Sequence, residues 1–341
     1  MRMVVTGGAG FIGSHVVSAA EASGDDVVVL DIARGGDVRD ADLMGRALRG
    51  ADVVVHLAAK VGVEQGLRDV PEYVSHNDLG IAVVLAAAAS RDVPRMVLAS
   101  SMVVYGDGVA RCPEHGGVRP GARRAADLRA GRFEPTCPTC DAELSPMLVD
   151  EAVTPDPRSG YAVTKVCQEQ LAGLWARQTG GSVTALRFHN VYGPGLPLDT
   201  PYAGVAAIFR SAVLGGRAPE VAEDGAQRRD LVHVRDVARA CVLAAHTEVV
   251  ARGTMRAYNI GSGTVRTVLD LATALSAAAG APAPMVTGLA RPTDVRHITA
   301  SSERAARELG WRATEDFTSS VRELLNEPRR PATSASPRRG G

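Results

Sequence analysis

The first 23 residues contain an apolar segment, a glycine-rich loop and the start of a helical stretch, in that order. Met3, Val4 and Val5 lead into Thr6, and the loop Gly7-Gly8-Ala9-Gly10-Phe11-Ile12-Gly13 follows directly. Glycines at 7, 10 and 13 permit a tight turn, close approach of the backbone to a pyrophosphate, and close packing of helix on strand. The following helix would point its N-terminus at the anion. The pattern therefore predicts a βα unit that holds a dinucleotide.

Asp31 ends the next apolar segment, 18 residues after Gly13. A carboxylate at that place can accept hydrogen bonds from an adenosine ribose and would repel a 2′-phosphate, which favours NAD over NADP. Arg34 lies close enough in the sequence to weaken that choice. The alternative is that the glycines only make a turn and that Asp31 only caps a turn or helix.

Apolar segments and helical stretches continue to alternate along the chain. Strands that are buried on both faces are continuously apolar, so this order predicts successive βαβ units in an α/β fold of Rossmann type, with a doubly wound parallel sheet. The predicted strands are 3–6, 27–31, 53–57, 96–100 and 183–188, and the predicted helices are 13–23, 81–90, 161–179 and about 203–214. After residue 190 the chain becomes rich in loops, which indicates a smaller second lobe.

This organisation suggests a division of the chain. We expect a dinucleotide-binding domain over 1–188 and 229–260, interrupted by an insertion at 107–153, and a C-terminal substrate lobe over 189–228 and 261–326. Residues 327–341 are Pro, Arg, Ser and Gly without apolar anchors, so we expect a disordered tail there.

Charge and hydropathy exclude several classes of partner. The 38 basic and 38 acidic residues cancel, so the chain lacks the excess positive charge that binding to nucleic acid usually needs. The longest apolar run, 81–89, is about half of the ~20 residues that cross a bilayer. A glycine-rich segment takes the place of a secretory signal, so we expect a cytoplasmic protein with no nucleic-acid or membrane partner.

Three of the five cysteines lie in the insertion at the spacing of metal ligands. Cys112-Pro-Glu-His115 and Cys137-Pro-Thr-Cys140 are two pairs that could each hold one ion from a tight turn. Three thiolates and one imidazole fill a tetrahedral Zn²⁺ shell with no open position, so we predict structural zinc at Cys112, His115, Cys137 and Cys140. The alternative is a set of scattered cysteines in a variable loop.

An ordered set of motifs resembles the extended short-chain dehydrogenase/reductase family, and within it the NAD-dependent nucleotide-sugar epimerases and dehydratases. The matching segments are 6–13, 36–38, 56–59, Asn77, 100–106, 161–165, 187–193, 229–237, 259–263 and 291–297. They cover most of the chain apart from the insertion and the tail. The run 201–209 with 221–230 looks most similar to the dTDP-L-rhamnose 4-epimerase-like branch.

Tyr161 and Lys165 lie four residues apart and so share one face of a predicted helix. A free tyrosine has a pKa near ~10, but a cation held beside it favours the phenolate, so Tyr161 could act as a base. The proton would come from a sugar hydroxyl. The resemblance implies that Ser101 hydrogen-bonds the same sugar oxygen. Met102 and Val103 stand where related dehydratases carry two acidic residues, which disfavours dehydration.

The resemblance also implies which residues bind each ligand. For NAD these are Gly7, Gly10, Phe11, Ile12, Gly13, Asp31, Ile32, Asp37, Val38, Leu57, Ala58, Ala59, Asn77, Ser100, Tyr161 and Lys165. For a nucleotide sugar they are Ser101, His189, Asn190, Val205, Arg229, Arg291 and Asp294. Arginine suits a diphosphate because its planar fork pairs with phosphate oxygens.

The motifs together predict a nucleoside-diphosphate-sugar 4-epimerase with tightly bound NAD⁺, acting on a dTDP-6-deoxyhexose, a UDP-hexose or a UDP-hexuronate. One alternative is a 4-keto-sugar reductase or dehydrogenase, which would consume NAD(P)H at every turnover. Another is an NAD-sensing binding protein that meets a partner through its zinc module. Family resemblance further implies a homodimer that packs through helices near 80–90 and 161–178.

Overall fold

The computed structural model describes residues 1–62, 66–197, 204–292 and 294–326. The predicted tail at 327–341 and part of the 201–209 run lie outside these ranges. The strands are β1 (Arg2–Thr6), β2 (Asp26–Leu30), β3 (Val53–His56), β4 (Arg95–Ser101), β5 (Ala110–Cys112), β6 (Gly116–Val118), β7 (Ser145–Pro146), β8 (Ser182–Phe188), β9 (Asn190–Tyr192), β10 (Glu220–Val221), β11 (Arg228–His233), β12 (Thr254–Ile260), β13 (Val265–Thr267) and β14 (Met285–Val286).

The α-helices of the described residues run from four to 20 residues in length. They are α1 (Phe11–Ala22), α2 (Ala41–Ala47), α3 (Val70–Tyr73), α4 (Gly80–Ser90), α5 (Ala125–Arg129), α6 (Gly160–Thr179), α7 (Val205–Leu214), α8 (Val234–His246), α9 (Val268–Ala279) and α10 (Phe317–Asn326). Short 3₁₀ turns cover Ile32–Arg34 and Met102–Tyr105, and π-helical turns cover Val74–Leu79 and Ala305–Leu309. No helix of the described residues is both long and apolar enough to cross a membrane.

A six-stranded sheet with the order β12-β8-β4-β3-β1-β2 forms the centre of the molecule, and every pair in it is parallel. The predicted parallel sheet is therefore confirmed. The interiors of β1, β2 and β3 are continuously apolar, as expected of strands whose two faces are covered by helices. One face packs against α1 and α8, and the other packs against α2, α4 and α6. The observed bounds lie within two residues of the predicted ones; β2, for example, ends at Leu30 because Asp31 caps the next turn.

The loop between β1 and α1 is possible only with glycine at two of its positions. Gly7 has a φ of +70°, and a Cβ atom there would lie 2.8 Å from the backbone nitrogen of Ala58. A Cβ at Gly13 would overlap the carbonyl oxygen of Gly7. These close contacts hold the loop, the start of α1 and the segment after β3 together at one edge of the sheet.

Residues after β8 build a smaller lobe, apart from α8 and β12, which belong to the central sheet and its core. β13, β11 and β9 form a three-stranded sheet, and β10 pairs with β14. α7, α9 and α10 pack on one apolar core together with Tyr192 and Leu231 from that sheet. β9 pairs in parallel with β11, so Asn190 lies opposite Leu231.

The insertion folds around its own cysteines. β5 pairs antiparallel with β6 and with β7, and α5 follows β6 along the chain. Its small core contains Cys112 and Cys137 together with Ala110 and Leu144. The low apolar periodicity of this segment reflects a core that is only a few residues in size.

Candidate active site

The predicted cofactor residues meet at the carboxyl edge of the central sheet. The glycine loop follows β1, Leu57, Ala58 and Ala59 follow β3, and Ser101 ends β4. In parallel sheets this edge is where nucleotides bind, because the strand ends and helix N-termini converge there. Gly10 is the N-cap of α1 and has no side chain to cap it, so N–H groups of the first turn of α1 are accessible to an anion.

Asp31 connects the glycine loop to the turn after β2. Its Oδ2 accepts a hydrogen bond from the Ala9 amide at 3.0 Å, and its Oδ1 accepts one from the Ala33 amide at 2.9 Å. The capping role that the sequence left open is thus present. A carboxylate has about four acceptor sites, so these two bonds leave room for ribose hydroxyls.

Other predicted cofactor residues hold the edge together through side-chain contacts. Asp37 pairs with Arg39 at 2.6 Å, and that guanidinium lowers the pKa of the Asp37 carboxyl. Asn77 is fully buried, accepts a hydrogen bond from the Lys60 amide at 2.7 Å and donates to Thr164 at 2.9 Å. Val38 is buried in the core, whereas Ile32 is 61% exposed.

Tyr161, Ser101 and Lys165 come together as predicted. Tyr161 lies in the first turn of α6, and its hydroxyl is hydrogen-bonded to the Ser101 side chain. The Lys165 ammonium lies 5.8 Å from the centre of the Tyr161 ring and donates to the Ala99 carbonyl oxygen at 2.8 Å. The register of β4 with β8 places Ser101 opposite Phe188, so His189 follows directly beside this group.

The electrostatics of this group differ from the sequence expectation. Burial raises the pKa of the Tyr161 phenol, and only the hydrogen bond with Ser101 counters it. Burial also lowers the pKa of Lys165 to about 8, against the opposing charges of Glu169 and Asp78. The expected lowering of the tyrosine pKa by Lys165 is therefore not seen, because the ammonium is directed to a backbone carbonyl and is itself desolvated.

A buried polar network that the sequence did not reveal lies beneath Ser101, Tyr161 and Lys165. Glu169 forms a two-point ion pair with Arg187, at 2.9 and 2.7 Å, and accepts a hydrogen bond from Ser100 at 2.5 Å. Arg187 also donates to the Tyr105 hydroxyl at 2.8 Å, which in turn donates to Asn259. The only available signals were the spacing of Glu169 from Lys165 on α6 and the arginine at the end of β8.

Two predicted substrate residues have buried polar atoms without partners. Within the described ranges, neither ring nitrogen of His189 has a hydrogen-bond partner, and neither does Asn190 Oδ1. Burial lowers the pKa of His189 to about 3, so its ring is neutral at ordinary pH. A buried polar group without a partner costs about 1–3 kcal/mol, which a ligand that hydrogen-bonds it would recover.

The remaining predicted substrate residues line the second lobe. Arg229 donates to the carbonyl oxygens of Val295 and Arg296 at 2.7 and 2.9 Å, and burial lowers its pKa to about 10. Arg291 is 77% exposed and pairs with Asp294 at 3.2 Å. Val205 begins α7 and is half-buried.

The four predicted metal ligands form one cluster. The sulfur and nitrogen atoms of Cys112, His115, Cys137 and Cys140 all lie within 4.8 Å of one another. Cys112 Sγ is 3.4 Å from His115 Nδ1 and 3.6 Å from Cys140 Sγ. The hydrogen bond from His115 lowers the pKa of the Cys112 thiol to about 6, although its desolvation opposes that shift. A thiolate at neutral pH is what a metal site needs.

Comparison with known proteins places this site in a family. dTDP-L-rhamnose 4-epimerase of Burkholderia thailandensis is 30% identical to the chain, over 95% of the chain and 93% of that protein. UDP-glucose 4-epimerase of Mycolicibacterium smegmatis is 31% identical over 91% and 93%. The structure of Thermus thermophilus UDP-glucose 4-epimerase with NAD superimposes with a TM-score of 0.74 at 29% identity, covering 95% of the chain and 98% of that structure.

The family model of the NAD dependent epimerase/dehydratase family matches the chain in two segments. It matches residues 3–122 and 140–261 and leaves out 123–139, which lie within the insertion. The resemblance that the motifs predicted is thus confirmed over most of the chain. On this evidence the protein belongs to the NAD dependent epimerase/dehydratase family.

Proposed function

We propose that the chain is a nucleoside-diphosphate-sugar 4-epimerase that works with tightly bound NAD⁺. The observation that carries the proposal is the contact of Tyr161 with Ser101, beside Lys165, at the edge of the sheet where the glycine loop lies. The relatives named as 4-epimerases cover nearly the whole chain. Met102 and Val103 form an apolar turn after Ser101, which supports epimerisation over dehydration.

The residues at the glycine loop fit a dinucleotide. A Cβ at Gly7 would meet the segment after β3, and the uncapped start of α1 offers N–H groups to a pyrophosphate. We assign the loop, Asp31, Ala58 and Lys165 to cofactor binding, with the ribose hydroxyls on Asp31. NAD⁺ bound there would supply a hydride acceptor and a positive charge to the site.

The reaction uses Tyr161 as acid and base at one sugar oxygen. Tyr161 accepts the proton of the 4-hydroxyl while C4 loses a hydride, and it returns that proton when a hydride is restored to the opposite face of the 4-keto sugar. Ser101 holds the same oxygen through its hydroxyl group. Since burial raises the pKa of Tyr161, the phenolate requires the nearby positive charges of the loaded site.

We assign the nucleotide diphosphate to Asn190, Arg229 and Arg291, with Asp294 and Val205 beside them. Asn190 would donate from its side-chain NH₂ to a phosphate oxygen, and Arg291 extends into solvent. The buried Asn190 Oδ1, which has no protein partner in the described residues, would accept from a ligand hydroxyl. We assign His189 to a contact with the sugar or the nicotinamide, because it follows the strand that pairs with the Ser101 end of β4.

The direct test incubates the purified protein with a panel of UDP- and dTDP-sugars without added cofactor and follows the C4 configuration by NMR. Inversion of one sugar supports the epimerase, because the hydride must return to the same substrate. If the sugar changes only when NAD(P)H is supplied and consumed, the protein is a reductase and the epimerase proposal is wrong. Tyr161→Phe should abolish turnover while retaining nucleotide binding, whereas an NAD-sensing protein would show no turnover in either form.

We further propose that the insertion cluster binds structural Zn²⁺. Tetrahedral Zn–S bonds of ~2.3 Å place ligand atoms about 3.8 Å apart, close to the spacing of Cys112 and Cys140. We expect about one zinc ion per chain by elemental analysis. Cys137→Ser should lose it, and Cys167→Ser, outside the cluster, should retain it. Equal zinc content in both variants would contradict the assignment.

We also propose a cytoplasmic homodimer that packs through α4 and α6. Val163 and Leu174 on α6 and Leu79 before α4 are between 43% and 52% exposed, so these neighbouring elements offer apolar surface to a partner. Light scattering should give the mass of a dimer for the wild type and a monomer for Val163→Arg. Leu289→Arg is the control, because Leu289 is exposed elsewhere.

A further inference from the structure

The segment 291–297 connects two proposed phosphate ligands to the catalytic group. It carries Arg291, and its Val295 and Arg296 carbonyl oxygens accept two of the three hydrogen bonds of the Arg229 guanidinium. The third goes to the Arg228 carbonyl oxygen. Val295 packs against the same buried cluster as Met102, in the turn after Ser101, and Val166 of α6; the cluster consists of Val104, Tyr105, Val149 and Ile298. A shift of this segment would therefore move both arginines relative to Tyr161.

Arg123 of the insertion holds the first half of that segment. Its side chain is only 6% exposed. The guanidinium donates to the carbonyl oxygens of Arg291 at 3.1 Å and Asp294 at 2.7 Å, and to Glu223 at 2.6 Å. One side chain from the insertion thus binds both ends of the turn that carries Arg291.

Glu134 of the insertion holds the second half. It pairs with Arg296 at 2.6 Å and with the His297 ring at 2.7 Å. Arg296 is 2% exposed and also pairs with Glu223 and Asp224, each at 2.7 Å. Desolvation acts to raise the pKa of the Glu134 carboxyl, but the hydrogen bonds from His297 and Arg296 lower it by more.

The backbone of the second lobe is strained where it meets this network. Glu223 has a φ of +53°, which costs a non-glycine residue about 1–2 kcal/mol, and its side chain is bonded to both Arg123 and Arg296. The network therefore fixes a conformation that the chain alone disfavours. Glu134 and Phe133, whose carbonyl accepts a bond from Arg123, precede the metal-ligand pair by only a few residues.

We infer that Arg123 and Glu134 are positioning residues that make the insertion a support for the nucleotide-diphosphate site. They set affinity for the diphosphate of the substrate by fixing the segment 291–297, and they take no part in the hydride or proton transfer. Arg123 and Glu134 lie in 123–139, which the family model leaves out between the two segments that it matches, 3–122 and 140–261. The inference rests on the proposed function, which assigns the diphosphate to Arg229 and Arg291.

The test measures binding of UDP and dTDP by titration calorimetry to the full chain, with NAD and zinc content and the thermal midpoint determined for each variant. Glu134→Gln retains the shape of the side chain but removes its charge from Arg296 and His297. We expect about tenfold weaker binding of the preferred nucleotide and a matching rise in KM, with kcat within about twofold of wild type. Glu143→Gln is the control, because it removes the same charge from an exposed position of the insertion.

Unchanged nucleotide affinity in a folded Glu134→Gln variant that retains its zinc would overturn the inference. So would an equal loss in Glu143→Gln, or a fall in kcat without a rise in KM. Should Glu134→Gln fail to fold, Arg123→Lys serves instead, since lysine keeps the charge but cannot reach Glu223 and both carbonyl oxygens together. A wild-type protein that binds neither UDP nor dTDP would refute the proposed function itself.

Discussion

The buried ion pair between Glu169 and Arg187 is the most informative single place to perturb the site. Glu169→Gln retains the side-chain volume but turns an acceptor into an amide nitrogen that faces the Arg187 Nη2 donor, 2.7 Å from the original oxygen. Both side chains are at most 6% exposed, so solvent does not screen the loss. Removing one partner from a buried pair costs about 3–5 kcal/mol, because the remaining charge has no counterion.

The same substitution should change the pH dependence of turnover. The Glu169 carboxylate opposes the desolvation that lowers the pKa of Lys165 from 10.5 to about 8. Without that charge the Lys165 pKa falls further, so the ammonium deprotonates at lower pH. If catalysis requires the charged ammonium, the alkaline limb of the kcat profile moves to lower pH in the variant.

Urea unfolding and a pH–rate profile, each compared with Glu308→Gln, test both effects. Glu308 pairs with Arg256, which is 46% exposed, so that variant should lose at most about 1 kcal/mol and leave the profile unchanged. The reasoning fails if Glu169→Gln unfolds at the same urea concentration as Glu308→Gln. It also fails if the stability falls while the alkaline limb of kcat stays in place, since Lys165 would then not sense Glu169.

Three further perturbations have defined outcomes. Lys165→Met should abolish turnover yet stabilise the fold below pH 8. In that range the folded wild type holds a desolvated ammonium, whose pKa is lowered from 10.5 to about 8. An unfolding midpoint lower than that of wild type at pH 7 would contradict this. His189→Leu should be more stable than wild type, and the difference in free energy of unfolding should grow as the pH falls from 6.5 towards 3. In that window His189 gains a proton only in the unfolded wild type. A difference in urea unfolding that does not change with pH would refute this prediction. Chelation of zinc should lower the thermal midpoint of wild type and leave that of Cys137→Ser unchanged by calorimetry.

Local sequence patterns were enough to predict the features of this protein that depend on residues close together in the chain. The glycine loop can be predicted from the sequence because Gly7 and Gly13 lie where a Cβ atom would collide with the backbone. The Tyr161–Lys165 spacing follows from the period of one helix, and the two cysteine pairs follow from the reach of metal ligands. Arg291 and Asn190 were found only through motif resemblance, because nothing in their own neighbourhood distinguishes them from ordinary surface residues.

Tertiary structure decided the contacts between residues far apart in the chain. Arg123 meets Glu223 across 100 positions, and Glu134 meets Arg296 across 162, so no local period could indicate either pair. The direction of the Tyr161 pKa shift could not be predicted from the sequence either, because it depends on whether burial outweighs a neighbouring charge. Spacing along the chain determines which groups can meet locally, whereas the depth at which the fold buries them and the distant partners it brings determine how they behave.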